Sequence, residues 1–196
     1  MRLVCLCLVV LAAACGPNPM TMDAGTSCSV PTLTPPNLAR NGLFECGDPT
    51  LEFKALDPNS KVEVSTGRSG KGLKFTTASG IYGNRLGSEW KVIAPAAASY
   101  CLRVWIKSTS TATTVRFYGL TPNSGVASGN QFDMPGPVTT WSQVPPNVKL
   151  DVTVKAGDEL SVGIEDKTSK AGTVIELDDV DLWVSADGRC QESRTP

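Results

Sequence analysis

The chain of 196 residues contains no histidine. That excludes a Ser-His-Asp or Cys-His nucleophilic site, a His-ligated zinc and an imidazole proton shuttle near neutral pH. It also lacks a charge excess: 18 Lys+Arg stand against 19 Asp+Glu, a net charge of −1. A nucleic-acid partner ordinarily demands a basic excess, so none is expected. No apolar run reaches the roughly 20 residues that a membrane-spanning helix needs, and no window has the period of a long helix. What is present is 41 % hydrophobic residues, enough for a core, with 18 Gly and 14 Pro. The length suits one domain with a tail, and the Gly and Pro suit many short strands joined by turns.

The first residues read as an address. Met1-Arg2 is a short positive start, and Leu3 to Ala14 is an apolar run of the length of a secretory signal. Ala12, Ala13 and Ala14 then lead into Cys15 and Gly16. The stretch LAAAC resembles the lipobox of bacterial lipoproteins, although Leu11 stands one place further from the cysteine than is commonest. The resemblance implies a signal peptide over 1–14 and lipidation of Cys15, hence an exported, membrane-anchored lipoprotein of the cell envelope, in the outer membrane. Residues 15–36 hold five prolines with Thr, Ser, Gly and Asn, which reads as a tether. Removal of the signal and lipidation of Cys15 leave Cys28, Cys46, Cys101 and Cys190. Four cysteines in an exported domain read as two disulfides with three possible connectivities. They contain no CxxC pair, which argues against a zinc site.

From Asn37 to Cys190 the hydrophobic period is two. Tyr100, Leu102, Val104 and Ile106 alternate with Cys101, Arg103, Trp105 and Lys107; Val115 and Phe117 with Arg116 and Tyr118; Leu160, Val162 and Ile164 with Ser161, Gly163 and Glu165. Similar runs lie around 62–65, 73–76, 148–155 and 175–185, with turn signals such as Asp57-Pro58-Asn59 and Ala156-Gly157-Asp158 between them. The expected fold is all-β, a two-sheet antiparallel sandwich of about ten strands over 37–190, with 191–196 as a tail.

Four segments appear in order: NLARNGLFECG (Asn37 to Gly47), GRSGKGLKF (Gly67 to Phe75), SYCLRVWIKS (Ser99 to Ser108) and IELDDVDLWVS (Ile175 to Ser185). Together they resemble the β-jelly-roll carbohydrate-binding modules of cellulose- and xylan-degrading enzymes, within the galactose-binding-like superfamily. The resemblance implies a structural Ca2+ held by Glu45 and Asp178, with backbone carbonyls of the Ser69 to Gly72 hairpin. Alternation along the last strand places Asp178 on the face of Val180, Leu182 and Val184. A jelly roll brings its opening and closing strands together, which favours the pairs Cys46–Cys101 and Cys28–Cys190.

Sugar rings stack on aromatic faces while polar side chains bond their hydroxyls. Trp105 alternates outward with Arg103, and Arg116 and Tyr118 lie outward on the following strand, so these four are the candidate ligand-binding residues. Trp90 and Trp141 read as rim or core, and Trp183 as facing away from the core. Gly67 to Gly72 lacks the Ser/Thr that a phosphate loop requires after Gly70-Lys71, and reads as a hairpin turn. The acidic residues Glu165, Asp166, Asp178, Asp179 and Asp181 form no defined glycosidase pair. No catalytic residue is assigned, and the protein is expected not to be an enzyme. The sequence thus points to a binding module for polysaccharide, or alternatively to a structural or protein-interaction lipoprotein with a cell-envelope protein as partner.

Overall fold

The computed structural model describes residues 36–39, 44–79, 84–90, 92–122, 124–146, 150–185, 188 and 190. The segments expected to be a signal peptide (1–14), a tether with Cys15 and Cys28 (15–36, all but its last residue) and a tail (191–196) lie outside the described residues. Twelve strands follow one another: β1 (Phe53–Ala55), β2 (Lys61–Thr66), β3 (Lys71–Thr76), β4 (Arg85–Ser88), β5 (Val92–Ile93), β6 (Ala98–Ser108), β7 (Ala112–Thr121), β8 (Gly125–Pro135), β9 (Val138–Val144), β10 (Asp151–Val154), β11 (Glu159–Asp166) and β12 (Val174–Val184). A 3-10 turn at Pro49–Leu51 precedes them, its first N–H groups capped by Asp48, whose Oδ1 accepts from Thr50 N at 2.9 Å.

Two six-stranded antiparallel sheets result. The first runs β1-β4-β11-β7-β8, with β5 also on β11; the second runs β10-β6-β12-β3-β2, with β9 also on β6. The alternation explains the layering. Val115, Phe117, Leu160, Val162 and Ile164 of the first sheet meet Tyr100, Leu102, Val104, Ile106, Ile175, Leu177 and Leu182 of the second in one buried core. Phe44, Phe53 and Trp90 extend it as an edge-to-face chain with 6.1 Å between successive centroids.

The corner between β6 and β7 decides the architecture. Only residues 109–111 separate these strands, yet they belong to different sheets. A buried polar network holds the corner. Ser108 and Thr113 share a hydroxyl hydrogen bond of 2.8 Å, Ser110 N donates to Ser108 Oγ at 3.0 Å, and Ser110 Oγ donates to Asp166 at the end of β11. Asp166 also accepts from the amide and hydroxyl of Thr168. Burial alone would push its carboxyl up, but the bonds from Ser110 and Thr168 outweigh this and hold it below the ordinary value.

The last strand departs from strict alternation. Asp178 pairs with Trp105 and Asp181 with Arg103, so three steps on β12 match two on β6. Asp179 sits at the resulting bulge with φ +46°. The bulge switches the phase of the strand. Leu177 and Val180 both enter the core, and Asp178 falls on the outer face with Trp105 rather than on the face of Val180 and Leu182 as alternation predicts. Asn37 completes the irregular segment. Its amide donates to Val180 O at 3.0 Å, and its Oδ1 accepts from Leu182 N at 2.9 Å and from Ala39 N at 3.0 Å.

The disulfide pairing differs from the expectation. Cys101 is bonded to Cys190 with Cα atoms 5.6 Å apart, which overturns both Cys46–Cys101 and Cys28–Cys190. The reason is the position of Cys101 at the β10 end of the outer face of the second sheet. It lies opposite Trp183 of β12; Ser185 N, just past that strand, donates to Ser99 O, and Cys190 N donates to Ser185 Oγ at 3.2 Å, which sets Cys190 beside Cys101. Cys46 is itself disulfide-bonded.

Candidate functional site

Because β6 and β7 lie in different sheets, the four candidate ligand residues do not form one surface. Arg103 and Trp105 face outward from the second sheet, and Arg116 and Tyr118 face outward from the first. Alternation predicts outward orientation correctly for all four. It carries no information on which sheet a strand joins.

On the second sheet the expected residues are engaged with one another. The Arg68 guanidinium lies 4.5 Å from the centre of the Trp105 ring and is ion-paired to Asp179. Arg103 lies 4.8 Å over the fully buried Trp183 and 3.1 Å from Asp181. Lys107 lies 4.6 Å over Trp141 and 2.6 Å from Glu176. Lys74 and Glu63 extend that row, since Glu63, Lys74, Glu176 and Lys107 are register partners across four strands. Three cations thus cover faces of three tryptophans, each contact contributing about 0.5–1 kcal/mol where exposed. The face is a self-neutralised cover, and the ring of Trp105 already has a partner.

Asp178 lies under the β2–β3 hairpin. It is fully buried, and its oxygens accept from Arg68 N at 2.6 Å, Ser69 N at 3.2 Å and Asp179 N at 2.8 Å. The hairpin therefore meets the carboxylate with N–H groups. A Cβ added at Gly67 would stand 2.5 Å from Asp178 Oδ2, so only glycine leaves room for the carboxylate. Glu45 reaches the same turn from the other side. Its carboxylate fills the space beside Gly70, 3.5 Å from Ser69 Oγ. Desolvation, and secondarily the negative charge of Asp179, pushes the Asp178 carboxyl up to about 6. Among the described residues no side-chain cation pairs with Asp178, because Arg68 is turned to Asp179.

The outer face of the first sheet is organised differently. Arg116 sits at its centre. Its Nη1 donates to Tyr118 OH at 3.0 Å, and its Nη2 is ion-paired to Glu165 of β11. Arg85 of β4 holds the other carboxylate oxygen of Glu165 at 3.3 Å. Burial disfavours the charge on Arg116, but the bonds to Tyr118 and Glu165 outweigh it, and its pKa is raised. Thr114 donates to Asp133 at 2.5 Å on the adjacent row.

Glycines make room around these side chains. Gly87 and Gly163 are register partners beside Arg116, and Gly129 lies opposite Tyr118. A Cβ at Gly129 would lie 2.9 Å from Tyr118 Cδ1, so the phenol ring rests against bare backbone. The face thus offers an aromatic ring laid along the sheet, a guanidinium, a carboxylate and several amide or hydroxyl groups. That is the chemistry a sugar requires. Glu165, Gly129 and Gly163 are the members that sequence reasoning missed. The available signal was Gly163 within an otherwise regular strand, which marks a close approach.

No protein-family model matches the chain, and no curated protein does. Solved structures match its fold. A candidate sugar-binding protein from Bacteroides thetaiotaomicron is 14 % identical with a TM-score of 0.52, over 76 % of this chain and all of that one. An α-L-arabinofuranosidase crystallised with arabinose is 18 % identical with a TM-score of 0.52, over 70 % of this chain and 24 % of that one. The N-terminal endo-1,4-β-D-xylanase 10B of Clostridium thermocellum, complexed with xylohexaose, is 11 % identical with a TM-score of 0.52, over 68 % of this chain and 26 % of that one. This chain thus spans about a quarter of the two enzyme chains. The fold defined by the strands and these likenesses is a two-sheet β-jelly roll.

Proposed function

We propose that the protein is a non-catalytic carbohydrate-binding module whose site is the outer face of the first sheet. The observation that carries this reading is the Arg116–Tyr118–Glu165 group. One guanidinium bonds both the phenol and the carboxylate, so ring and polar groups are held in place before a ligand arrives. Preorganisation of that kind removes part of the ordering loss of binding. Tyr118 supplies a stacking face, and Arg116 and Glu165 supply a donor and an acceptor for hydroxyls. The sugars bound in the xylanase and arabinofuranosidase structures make polysaccharide the class to test first. A glycan array read with Tyr118→Ala and Trp105→Ala variants tests the site. Glycan binding lost in Tyr118→Ala and kept in Trp105→Ala is the expected result. Loss in Trp105→Ala alone would move the site to the second sheet, and a silent array for the unaltered protein would overturn sugar binding.

The reading includes a Ca2+ held by Asp178 and Glu45 at the Gly67–Gly70 turn. Its support is a buried carboxylate without a side-chain cation among the described residues, a second carboxylate on the same turn, and a lone pair left on Asp178 Oδ1, which accepts one N–H bond where Oδ2 accepts two. The ion would supply charge compensation and no chemistry. Chelation is then expected to lower the melting temperature, and an unchanged melt counts against it.

The sequence LAAAC carries the remaining part of the reading: export, lipidation of Cys15, and anchoring in the bacterial cell envelope, with the tether displaying the module. Labelled fatty acid should enter the chain and be lost in Cys15→Ser.

A further inference from the structure

Along β7 the outward residues are Thr114, Arg116, Tyr118 and Leu120, a progression from polar through cationic and aromatic to aliphatic. Beyond Tyr118 the face does not return to polar residues at both edges. Leu120 is the register partner of Glu159 on β11 and of Val126 on β8, and Glu159 is the partner of Ile93 on β5. Ile93, Glu159, Leu120 and Val126 therefore form one row across four strands. Two of its aliphatic side chains stand well out into solvent, Ile93 at 53 % and Val126 at 61 % exposure. Successive rows of one face are two residues apart, about 7 Å. The aliphatic row is thus one step from the row of Tyr118 and two from that of Arg116.

We infer that this row is a shelf for short acyl esters on the polysaccharide, acetate being the simplest, so that the module selects esterified glycan over the bare chain. The inference rests on the sugar-binding reading above and adds the ligand's decoration to it. A sugar stacked on Tyr118 and bonded to Arg116 has its next substituents directed along the face, and on the aliphatic side an unsubstituted hydroxyl would lose water without gaining a partner. An acyl methyl placed there instead buries apolar surface on both partners. The size of the shelf fixes the kind of substituent. Three aliphatic side chains with the Glu159 carboxylate in their row are too few and too polar for a fatty acyl chain, and suit a group of a few carbons.

The test uses a panel of polysaccharides, each in its native acetylated form and after mild alkaline deacetylation, titrated against the whole protein. Each buried methyl should give roughly a fourfold preference for the acetylated form. In the variant carrying Ile93→Thr and Val126→Thr, which keeps β-branched residues at both strand positions, the preference should fall to near one while binding of deacetylated polymer is unchanged. Equal binding of both forms by the unaltered protein, or an unchanged preference in the double variant, would overturn the shelf and leave the Arg116–Tyr118 site standing. Binding of no polymer in either form would overturn the sugar-binding reading and the shelf with it.

Discussion

Arg116 donates to the phenolic oxygen of Tyr118, two residues along the same strand face, at 3.0 Å. The bond ties the stacking ring to the group that answers sugar hydroxyls, and Glu165 fixes the guanidinium from the neighbouring strand. The orientation of Tyr118 is therefore set by the sheet, and it depends on what lies beneath the ring.

That dependence can be measured at Gly129. In Gly129→Ala the new methyl meets Tyr118 Cδ1 and tilts the ring away from Arg116. Loss of one ordinary hydrogen bond corresponds to about 1 kcal/mol, roughly fivefold in affinity. Glycan titration should show that loss, while thermal stability changes little. Unaltered affinity would show that the ring position does not govern binding.

Asn37 is the side chain that satisfies the bulged segment of β12. Asn37→Ala removes three hydrogen bonds and leaves Val180 O and Leu182 N without these partners. The expected loss is about 1–3 kcal/mol in denaturant unfolding. A midpoint equal to that of the unaltered protein would refute the role.

The bond between Cys101 and Cys190 closes a loop of 89 residues. The chain-entropy model assigns such a crosslink about 4–5 kcal/mol, a model-dependent figure. Cys101→Ala combined with Cys190→Ala should lower stability by several kcal/mol on that model. With this pair made, Cys28 is the expected partner of Cys46, and non-reduced peptide mapping should recover both pairs. Recovery of a Cys46–Cys101 peptide would contradict the structure.

Asp166 makes the corner between β6 and β7 sensitive to acid. Its folded pKa lies below the ordinary value, so the folded state binds its proton less readily than the unfolded chain. The stabilisation is fully present above the unfolded value of about 3.9 and is lost as pH falls through the lower folded value. Melting temperatures taken from pH 6 down to pH 2 should fall below about pH 4. Asp166→Asn should be less stable at pH 6 and show a shallower decline. Equal slopes would assign acid sensitivity elsewhere.

Residue order alone determined which side chains face the core. The period of two along 100–107, 115–118 and 160–165 separates core-facing from outward residues correctly, because one face of each strand must leave water. The same period placed Trp183 on the outer side of β12 with Cys101, while it was the family resemblance that brought Asp178 and Glu45 to one hairpin. Tertiary structure alone decided which outward residues meet. Three connecting residues carry the chain from one sheet to the other between Ser108 and Ala112, separating Trp105 from Tyr118. A single extra residue at Asp179 reverses the phase of β12 and turns Asp178 outward. Cys101 finds Cys190 because strand order brings the chain leaving β12 over it. Alternation is local and fixes inside against outside. Sheet membership, bulges and crosslinks depend on long-range pairing, which a local period does not encode.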